Sequence, residues 1–488
     1  SSASIGLMIT ASHNPEIDNG VKLVDPFGEM LEQSWEAIAT KFANAEDDDV
    51  ENLIKELILQ YNIDPLRTAS VFIGRDTRPS SSSLSEAAMA GVHAMFAVAI
   101  DYGVITTPML HYFVTCQNTD CAYGRPTEDG YFAKLSDAFK ALRGDNSING
   151  KYLPELIFDG ANGVGSLKMK NFLKYIGDSL QVTIYNSDTA TRGKLNFKCG
   201  ADHIKTMQSP PDGVPLIPFK RCVSVDGDAD RIVYYYTDDS NEFYLLDGDR
   251  IATLAAGYLM EVVRSAGLQL KMGLVQTAYA NGNSTKYITE KLKVPVVCVP
   301  TGVKHLHHKA LEFDIGVYFE ANGHGTVVFS ENAKNKIKEY TKDINKSEYF
   351  EKLVSIIDMI NETVGDAISD LLLVETILHD RKWSIEDWYH TYNDLPSVLV
   401  KVSVKDRNLI STTADEQKCV TPPGLQVVID KLVAEYPNGR AFVRPSGTED
   451  VIRVYAEADT IGHTNELAEK VTKAVYELAG GVGTIPKI

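Results

Sequence analysis

Three aspartates occupy alternate positions in SVDGDADRIVYYY, between two runs of strand-forming residues: Asp226, Asp228 and Asp230. Carboxylates this close repel one another unless a cation neutralises them, and carboxylate oxygens are the ligands that Mg²⁺ and Ca²⁺ prefer. An EF-hand calcium loop is excluded, because it needs Gly and Glu where this chain has Arg231 and Thr237. So short a turn supplies few ligands, which favours Mg²⁺ with a phosphate oxygen as a further ligand. Arg231 would neutralise the same phosphate.

A serine stands at another strand end, where the apolar run IGLMI stops at TASHNP. Taken alone, this stretch is more typical of a plain turn, but Ser12 is also a candidate nucleophile. The sequence around it lacks the G-x-S-x-G pattern of the α/β-hydrolases. Lys22, after the next turn, would stabilise negative charge or hold a phosphate. His13 is a candidate for proton transfer, although a lone histidine beside a turn is more often structural.

A third strand, in IGVYFEANGHGT, ends at Glu320, Asn322 and His324, with glycines that free the backbone. A carboxylate and an amide at this spacing suit hydrogen bonds to neighbouring hydroxyls of a sugar. The pattern is equally compatible with a plain turn. The nearby PTGVKHLHHK adds Lys304 and His305.

The fourth candidate loop is VRPSGTEDVIRVYAEA. Arg444, Ser446, Gly447 and Thr448 place a guanidinium, two hydroxyls and a flexible backbone within five residues. Charge-assisted hydrogen bonds and turn N–H groups together favour an anion, although a hairpin turn is the simpler alternative. Arg453 follows in the next strand. The four loops together predict phosphoryl transfer on a sugar phosphate.

The elements that must position these loops alternate between strands and helices. Strand, glycine-rich loop and helix recur three times up to residue 395, which predicts three similar α/β domains. After about Pro396 the pattern changes to strands with one helix between them and one after them, which predicts a smaller α+β domain. We therefore expect domains at 1–153, 154–268, 269–395 and 396–488. Within the first of them, SSSLSEAAMAGVHAMFAVAI predicts a helix over 81–100, followed by a strand in YGVITTP.

Composition sets the outer limits. The chain has 488 residues and a net charge of −18, which argues against a nucleic-acid surface but not against an anionic substrate bound by clustered cations. Six scattered cysteines form neither a zinc nor a disulfide pattern, so we expect a cytoplasmic protein. No apolar run is long enough to predict a membrane span. Because the chain begins at Ser1 and enters a strand at once, we expect N-terminal residues to be missing.

The motifs TASHNP, DGDADR, EANGHG and RPSGTED, in this order, resemble those of the α-D-phosphohexomutase superfamily, as does GRDTRPSS. The resemblance implies three similar mixed-sheet α/β domains plus a smaller C-terminal α+β domain, heart-shaped around one central cleft. It implies a phosphoserine enzyme that interconverts a sugar 6-phosphate and 1-phosphate through a 1,6-bisphosphate. Asn322 stands where glucose- and mannose-specific members usually have Ser, which implies N-acetylglucosamine phosphates and a role in UDP-N-acetylglucosamine synthesis.

The resemblance also implies a role for each loop. The catalytic residues that it implies are Ser12, Lys22 and His13. The ligands that it implies for Mg²⁺ are Ser12, Asp226, Asp228 and Asp230. The residues that it implies for substrate binding are Arg231, Thr301, Gly302, Lys304, Glu320, Ala321, Asn322 and His324, and those for the phosphate that does not react are Arg444, Pro445, Ser446, Gly447, Thr448 and Arg453. It implies Mg²⁺ as cofactor, a hexosamine or glucose 1,6-bisphosphate as activator, a small phosphosugar as the partner, and a monomer.

Three alternatives stay open. The first is a mutase specific for glucose or mannose phosphates. The second is a haloacid-dehalogenase-type phosphatase with Asp226 as nucleophile, which would leave Ser12 without a role. The third is a non-catalytic protein that binds sugar phosphates. One departure from the superfamily also stands: its members usually carry a Gly-Thr-x-Gly-x-Arg-like strand ahead of the serine loop, and nothing precedes Ser1 here.

Overall fold

The computed structural model describes residues 3–65, 67–144, 148–340, 347–446 and 449–488. The chain forms two compact units. The first comprises Ser1–Leu245 with Ser355–Lys382, and the second comprises Leu246–Val354 with Trp383–Ile488.

The strands are β1 (Ser4–Ile9), β2 (Val21–Val24), β3 (Ser70–Arg75), β4 (Val98–Val104), β5 (Glu155–Asp159), β6 (Gln181–Tyr185), β7 (Cys222–Val225), β8 (Ile232–Thr237), β9 (Phe243–Leu246), β10 (Met272–Gln276), β11 (Val296–Cys298), β12 (Ile315–Phe319), β13 (Gly325–Phe329), β14 (Ser397–Ser403), β15 (Ser411–Thr412), β16 (Cys419–Thr421), β17 (Arg440–Pro445) and β18 (Val451–Glu457). The α-helices are α1 (Gln33–Ala43), α2 (Asp47–Tyr61), α3 (Ser81–Ala94), α4 (Thr107–Asn118), α5 (Glu128–Arg143), α6 (Val164–Ile176), α7 (Ala201–Met207), α8 (Gly248–Ala266), α9 (Gly282–Lys286), α10 (Val303–Ala310), α11 (Glu331–Tyr340), α12 (Ser347–Met359), α13 (Ala367–Arg381), α14 (Ile385–Tyr389), α15 (Leu425–Val433) and α16 (Ile461–Leu478). Short 3₁₀ turns lie at Gly177–Ser179 and Arg407–Leu409, and a π-helical turn lies at Tyr287–Leu292.

The first unit contains two mixed sheets. One has the strand order β2-β1-β3-β4, with β1 parallel to β3 and antiparallel to β2. The other has the order β6-β5-β7-β8-β9, with β7 parallel to β5 and antiparallel to β8. Both sheets therefore place one antiparallel hairpin beside parallel strands.

The second unit repeats this pattern in the sheet β11-β10-β12-β13, where β12 is parallel to β10 and antiparallel to β13. Its strands β10, β12 and β13 are buried along their whole length, as expected for a sheet covered on both faces. The C-terminal part is an antiparallel sheet, β14-β18-β17, with the β15-β16 ribbon and the helices α15 and α16. Strand β14 alternates between buried and exposed residues, which is typical of a sheet with one solvated face. The prediction of three similar mixed-sheet α/β domains and a smaller α+β domain is confirmed.

All four predicted functional loops are hairpin turns. The β1-β2 turn carries Ser12, the β7-β8 turn carries the aspartates, the β12-β13 turn carries Glu320, and the β17-β18 turn carries Ser446. In the three α/β sheets the turn follows the strand that pairs in parallel with its neighbour. Each of these three turns therefore leaves the carboxyl end of a parallel strand, where α/β folds bind their ligands.

One predicted helix boundary is wrong. The helix predicted over 81–100 ends at Ala94, and Val98 already begins β4. Phe96 lies in the left-handed region, with φ of 56°, and breaks the helix; Val98 and Ile100 then continue as strand. The residues after this strand begin α4, because the Thr106 side chain accepts a hydrogen bond from the N–H of Met109 and caps the helix. None of the described helices combines the length and apolar composition that crossing a membrane requires.

Ion pairs of a buried glutamate tie distant segments together inside each unit. In the first unit Glu375, on α13, accepts two hydrogen bonds from Arg221, at 2.8 and 2.7 Å. In the second unit Arg440 donates to Glu457 at 2.8 Å and to the carbonyls of Ala278 and Ala280. The first pair fixes α13 against the sheet that carries the aspartates, and the second fixes the turn after β10 against the C-terminal sheet.

Candidate functional site

The serine loop is held in a strained conformation. Ser12 is buried and has a φ of 47°, in the left-handed region that a serine adopts only at a cost of about 1–3 kcal/mol. Its N–H donates to Thr10 Oγ1 at 3.0 Å, and Thr10 Oγ1 donates to Asp76 at 2.8 Å. Strain of this kind persists where the surrounding structure fixes it, as it does at functional sites.

One side-chain amide and one guanidinium complete the support of this loop. The carbonyl of Ser12 accepts hydrogen bonds from Asn196 Nδ2 at 2.8 Å and from Arg78 Nη2 at 3.2 Å. Arg78 is itself buried and paired with Asp76. On the opposite side, a Cβ added at Gly227 would lie 2.6 Å from the Ser12 carbonyl oxygen. A glycine therefore allows the serine loop to approach the aspartate loop closely.

The three aspartates form one buried cluster. Ligand oxygens of Asp226, Asp228 and Asp230 lie within 4.8 Å of one another. Asp226 Oδ1 accepts hydrogen bonds from the N–H groups of Asp230 and Arg231, at 3.1 and 3.2 Å, which shapes the turn. Burial, together with the charges of Asp230 and Asp228, raises the pKa of Asp226 well above its usual range. A cluster that resists full ionisation in this way is stabilised by a cation.

Asp228 joins the cluster to the serine. Its Oδ2 accepts hydrogen bonds from Thr107 Oγ1 at 2.6 Å, Lys22 Nζ at 2.8 Å and Ser12 Oγ at 3.1 Å. Lys22 Nζ also lies 2.5 Å from Asp230 Oδ2. Burial by itself would lower the pKa of Lys22, but the charges of Asp228 and Asp230 raise it above its usual value. The lysine therefore supplies a fixed positive charge beside the serine hydroxyl.

These residues fit a magnesium ion. Among the described residues, Asp226 Oδ2 and Asp228 Oδ1 are buried oxygens without a hydrogen-bond partner. Buried carboxylate oxygens left in this way are costly unless a cation takes them. The donor set is made only of oxygens, as Mg²⁺ prefers, and the cluster lies next to a serine hydroxyl.

The other predicted residues of this region lie nearby but have different contacts. Arg231 Nη1 is 3.5 Å from Asp202 Oδ1. His13 has a buried Nδ1 that finds no hydrogen-bond partner in the described part of the chain. Burial, and next the charge of Arg231, lower the pKa of His13. Its imidazole is therefore neutral at physiological pH and able to accept a proton.

In the second unit the predicted sugar loop is organised around Glu320. Glu320 Oε1 accepts the N–H of Gly302 at 3.2 Å, and Oε2 accepts from Asn322 Nδ2 at 3.3 Å. Asn322 Oδ1 in turn accepts the N–H of His324 at 3.0 Å. Glu320, Ala321 and Asn322 stay partly exposed, whereas His324 is buried. Lys304 lies two residues after Gly302, in the first turn of α10.

The predicted phosphate loop brings two arginines together. Arg444 and Arg453 lie directly opposite each other on β17 and β18. Like charges at such a position repel each other, which an anion between them would relieve. Ser446 is buried, and its N–H donates to the Val451 carbonyl at 2.8 Å. Pro445 ends β17, and Gly447 and Thr448 lie outside the described residues.

The structure thus brings Ser12, Lys22 and the three aspartates into direct contact in one unit. In the other unit Glu320 contacts Gly302, and Arg444 contacts a residue that the sequence did not single out, Glu416, at 2.8 Å. Sequence reasoning missed the supports of the serine loop as well: Thr10, Asp76, Arg78, Thr107 and Asn196. GRDTRPSS alone gave a signal, because a buried Asp and Arg so close in sequence suggest a structural ion pair.

Family models cover most of the chain. A model described as phosphoacetylglucosamine mutase AMG1, domain III, matches residues 247–383, and the domain II model of the same family matches 122–233. Models of phosphoglucomutase/phosphomannomutase match at both ends of the chain. Their alpha/beta/alpha domain I matches 1–49 and 46–124, and their C-terminal domain matches 399–474.

Whole proteins are similar over nearly the full length. The phosphoacetylglucosamine mutases of Sus scrofa and Homo sapiens are each 51% identical to this chain, over 99% of this chain and 90% of theirs. The crystal structure of Aspergillus fumigatus N-acetylphosphoglucosamine mutase in complex with GlcNAc-6P and magnesium is similar with a TM-score of 0.94, at 49% identity over 98% of this chain and 90% of that one. A structure of a variant of that protein with glucose 1,6-bisphosphate has a TM-score of 0.91, at 49% identity over 98% of this chain and 89% of that one.

Proposed function

This chain belongs to the phosphoacetylglucosamine mutase family of the α-D-phosphohexomutase superfamily, and we propose that it interconverts N-acetylglucosamine 6-phosphate and N-acetylglucosamine 1-phosphate. The product of the forward direction is the precursor of UDP-N-acetylglucosamine. The observation that carries the proposal is the Ser12 hydroxyl, which lies 3.1 Å from a buried carboxylate of the aspartate cluster.

In the proposed reaction Ser12 carries a phosphoryl group. The bond from Ser12 Oγ to phosphorus breaks while a bond from phosphorus to the sugar O1 forms. The O1 hydroxyl gives up its proton, and Ser12 Oγ takes one up. The resulting 1,6-bisphosphate turns round. Its O6–phosphorus bond then breaks and the phosphoryl group returns to Ser12 Oγ, while the Ser12 hydroxyl gives up its proton and O6 takes one up. A 1,6-bisphosphate of glucose or a hexosamine would load Ser12 initially.

The residues around Ser12 suit this transfer. Asp226, Asp228 and Asp230 would hold Mg²⁺, which offsets phosphoryl charge. Lys22 adds a positive charge within hydrogen-bond distance of Asp228, and the left-handed turn at Ser12 fixes the direction of Oγ. His13 is the proposed proton acceptor, because its imidazole is neutral and close in sequence to the serine.

The loops of the second unit would hold the substrate. Glu320 and Asn322 would bind sugar hydroxyls, with Thr301, Gly302, Lys304, Ala321 and His324 as further proposed contacts. Arg231 is proposed as a substrate contact as well. Arg444, Ser446 and Arg453, with Pro445, Gly447 and Thr448, would hold the phosphate that does not react. Fixing that phosphate orients the sugar, and orientation supplies a large part of the rate of a transfer reaction.

Rates on three substrates test the proposal. The full chain, with Mg²⁺ and a trace of glucose 1,6-bisphosphate, is given the 6-phosphates of N-acetylglucosamine, glucose and mannose. We expect kcat/KM for N-acetylglucosamine 6-phosphate to exceed that for the other two substrates by about tenfold or more. The reason is that Asn322 offers an amide side chain at the position where glucose- and mannose-specific members usually have serine. Faster turnover of glucose or mannose 6-phosphate would favour the other mutase specificities. Release of inorganic phosphate in place of the 1-phosphate would favour a phosphatase.

We extend the proposal to a monomer in the cytoplasm. All six cysteines are free thiols, which suits a reducing compartment. Light scattering during size-exclusion chromatography tests the monomer, and a mass of twice the chain would contradict it.

A further inference from the structure

Glu416 adopts a strained backbone at the tip of a short ribbon. It lies between β15 and β16, where the N–H of Thr413 donates to the carbonyl of Lys418 at 2.8 Å. Glu416 itself has a φ of 58°. A glutamate is strained in this left-handed region, and its neighbours must fix it there. The ribbon thus presents one carboxylate in a defined direction.

That carboxylate joins two segments that the proposed function uses. Glu416 Oε2 accepts the N–H of Thr301 at 2.9 Å and Thr301 Oγ1 at 2.5 Å. Glu416 Oε1 accepts from Arg444 Nε at 2.8 Å. The side chains of Arg444 and Glu416 are 19% and 15% exposed, so the pair is shielded from most of the solvent. Such an ion pair is stronger than one on the surface.

Phosphate binding depends on which guanidinium nitrogen of Arg444 donates to Glu416. A guanidinium binds phosphate best with two parallel N–H groups. The bond to Glu416 engages Nε, so it does not use the fork formed by the two terminal nitrogens. It also restricts rotation of the side chain. An arginine held by Nε therefore loses less conformational freedom when an anion binds.

Glu416 also reduces the repulsion within this region. Arg444 and Arg453 oppose each other across two strands, and one carboxylate beside Arg444 offsets part of their combined charge. The remaining net positive charge still favours an anion.

We propose that Glu416 is a positioning residue of the phosphate site, holding Arg444 and Thr301 in the arrangement that binds the phosphate of the substrate. The proposal rests on the proposed function for the identity of the ligand. It predicts that Glu416 acts through Arg444 and touches no substrate atom itself. The opposite view is that Glu416 competes with phosphate for the same donors.

Binding of N-acetylglucosamine 6-phosphate, measured by isothermal titration calorimetry on the full chain, separates these views. We expect Glu416→Ala to weaken binding about tenfold, and Glu416→Gln to weaken it less, because the amide keeps one acceptor oxygen. The matched control is Gln417→Ala, an exposed neighbour in the same ribbon, which should bind as the unsubstituted chain does. Tighter binding by Glu416→Ala would overturn the proposal in favour of competition.

A double substitution that starts from an Arg444 variant tests whether Glu416 acts through Arg444. Arg444→Lys keeps the charge but lacks the Nε donor. In that background, adding Glu416→Ala should change the affinity by less than about twofold. An equal loss in both backgrounds would contradict the proposal, since it would indicate a general disturbance of the ribbon. In steady-state assays the change should fall mainly on KM. Because calorimetry needs no turnover, an absence of mutase activity would refute the proposed function and leave this test intact.

Discussion

Asp226 distinguishes a metal site from an ordinary polar turn. One of its oxygens shapes the loop through two backbone N–H groups, and the other is buried without a hydrogen-bond partner in the described part of the chain. The first role needs only a carbonyl-type oxygen, whereas the second needs a charge. The two roles can be separated by one substitution.

Asp226→Asn should keep the loop and lose the metal. The amide oxygen still accepts the backbone N–H groups, so we expect the thermal unfolding midpoint in EDTA to equal or exceed that of the unsubstituted chain, because repulsion with Asp228 and Asp230 is relieved. Added Mg²⁺ should raise the midpoint of the unsubstituted chain but not that of Asp226→Asn. Mutase turnover should fall about a thousandfold or more. The control is Asp239→Asn, a substitution at an exposed residue, which should respond to Mg²⁺ as the unsubstituted chain does. A midpoint that rises equally with Mg²⁺ in Asp226→Asn and in the unsubstituted chain would contradict the assignment of a metal site.

Gly227 allows the serine and aspartate loops to approach. A methyl group there would lie 2.6 Å from the Ser12 carbonyl oxygen. We expect Gly227→Ala to displace the serine loop and to lower kcat about a hundredfold, as a shift of about 1 Å does elsewhere. Gly91→Ala is the control, because a methyl group at Gly91, within α3, meets no atom within 4 Å. An unchanged kcat in Gly227→Ala would mean that the close approach has no part in the reaction.

At the scale of elements, the repeated hairpin accounts for the positions of the four loops. Apolar runs that end in glycine-rich polar turns predicted each of them, because the change from buried strand to turn is a local signal. The helix predicted over 81–100 exists but ends earlier than predicted, at Ala94. Apolar residues continue through the turn at Phe96 into β4, so the sequence pattern does not mark the end of the helix. Thr107, Asn196 and Glu416 were missed, since their contacts form between segments far apart in sequence.

The buried Arg221–Glu375 pair holds α13 against its sheet. Glu375 is fully buried and also accepts a hydrogen bond from Tyr152 at 2.7 Å. Glu375→Gln would leave Arg221 buried beside a neutral amide, so we expect the free energy of unfolding to fall by about 3 kcal/mol. Urea unfolding measures it, with Glu469→Gln on the exposed side of α16 as control. A loss below about 1 kcal/mol would show that the pair does not stabilise the unit.

At the scale of the whole molecule, the order of the motifs along the chain predicted the superfamily, and that resemblance is confirmed. The domain limits at 153, 268 and 395 stay predictions. Residues Ser355–Lys382 belong to the first compact unit although they lie in sequence between the two parts of the second. No local sequence pattern reveals that this segment packs with the first unit, because its packing depends on partners such as Arg221 that are distant in sequence.

The net charge of −18 must also be reconciled with an anionic substrate. The phosphate loop concentrates cations locally, because Arg444 and Arg453 lie there. At the aspartate loop, Lys22 and Arg231 offset part of the negative charge. Clustered charges of this kind set the local potential even when the total has the opposite sign. Composition therefore argues against a nucleic-acid surface but could not indicate the substrate.

The central claim is that Ser12 carries the phosphoryl group through the reaction. The most direct measurement is peptide mapping by mass spectrometry after the full chain has been incubated with glucose 1,6-bisphosphate and Mg²⁺, and again after addition of N-acetylglucosamine 6-phosphate. We predict one phosphoryl group on Ser12 both before and after the sugar phosphate is added, because the group that leaves Ser12 is replaced by the one from O6, and no phosphoryl group on Ser12→Ala. A phosphoryl group on Asp226, or turnover by Ser12→Ala at the rate of the unsubstituted chain, would contradict the account.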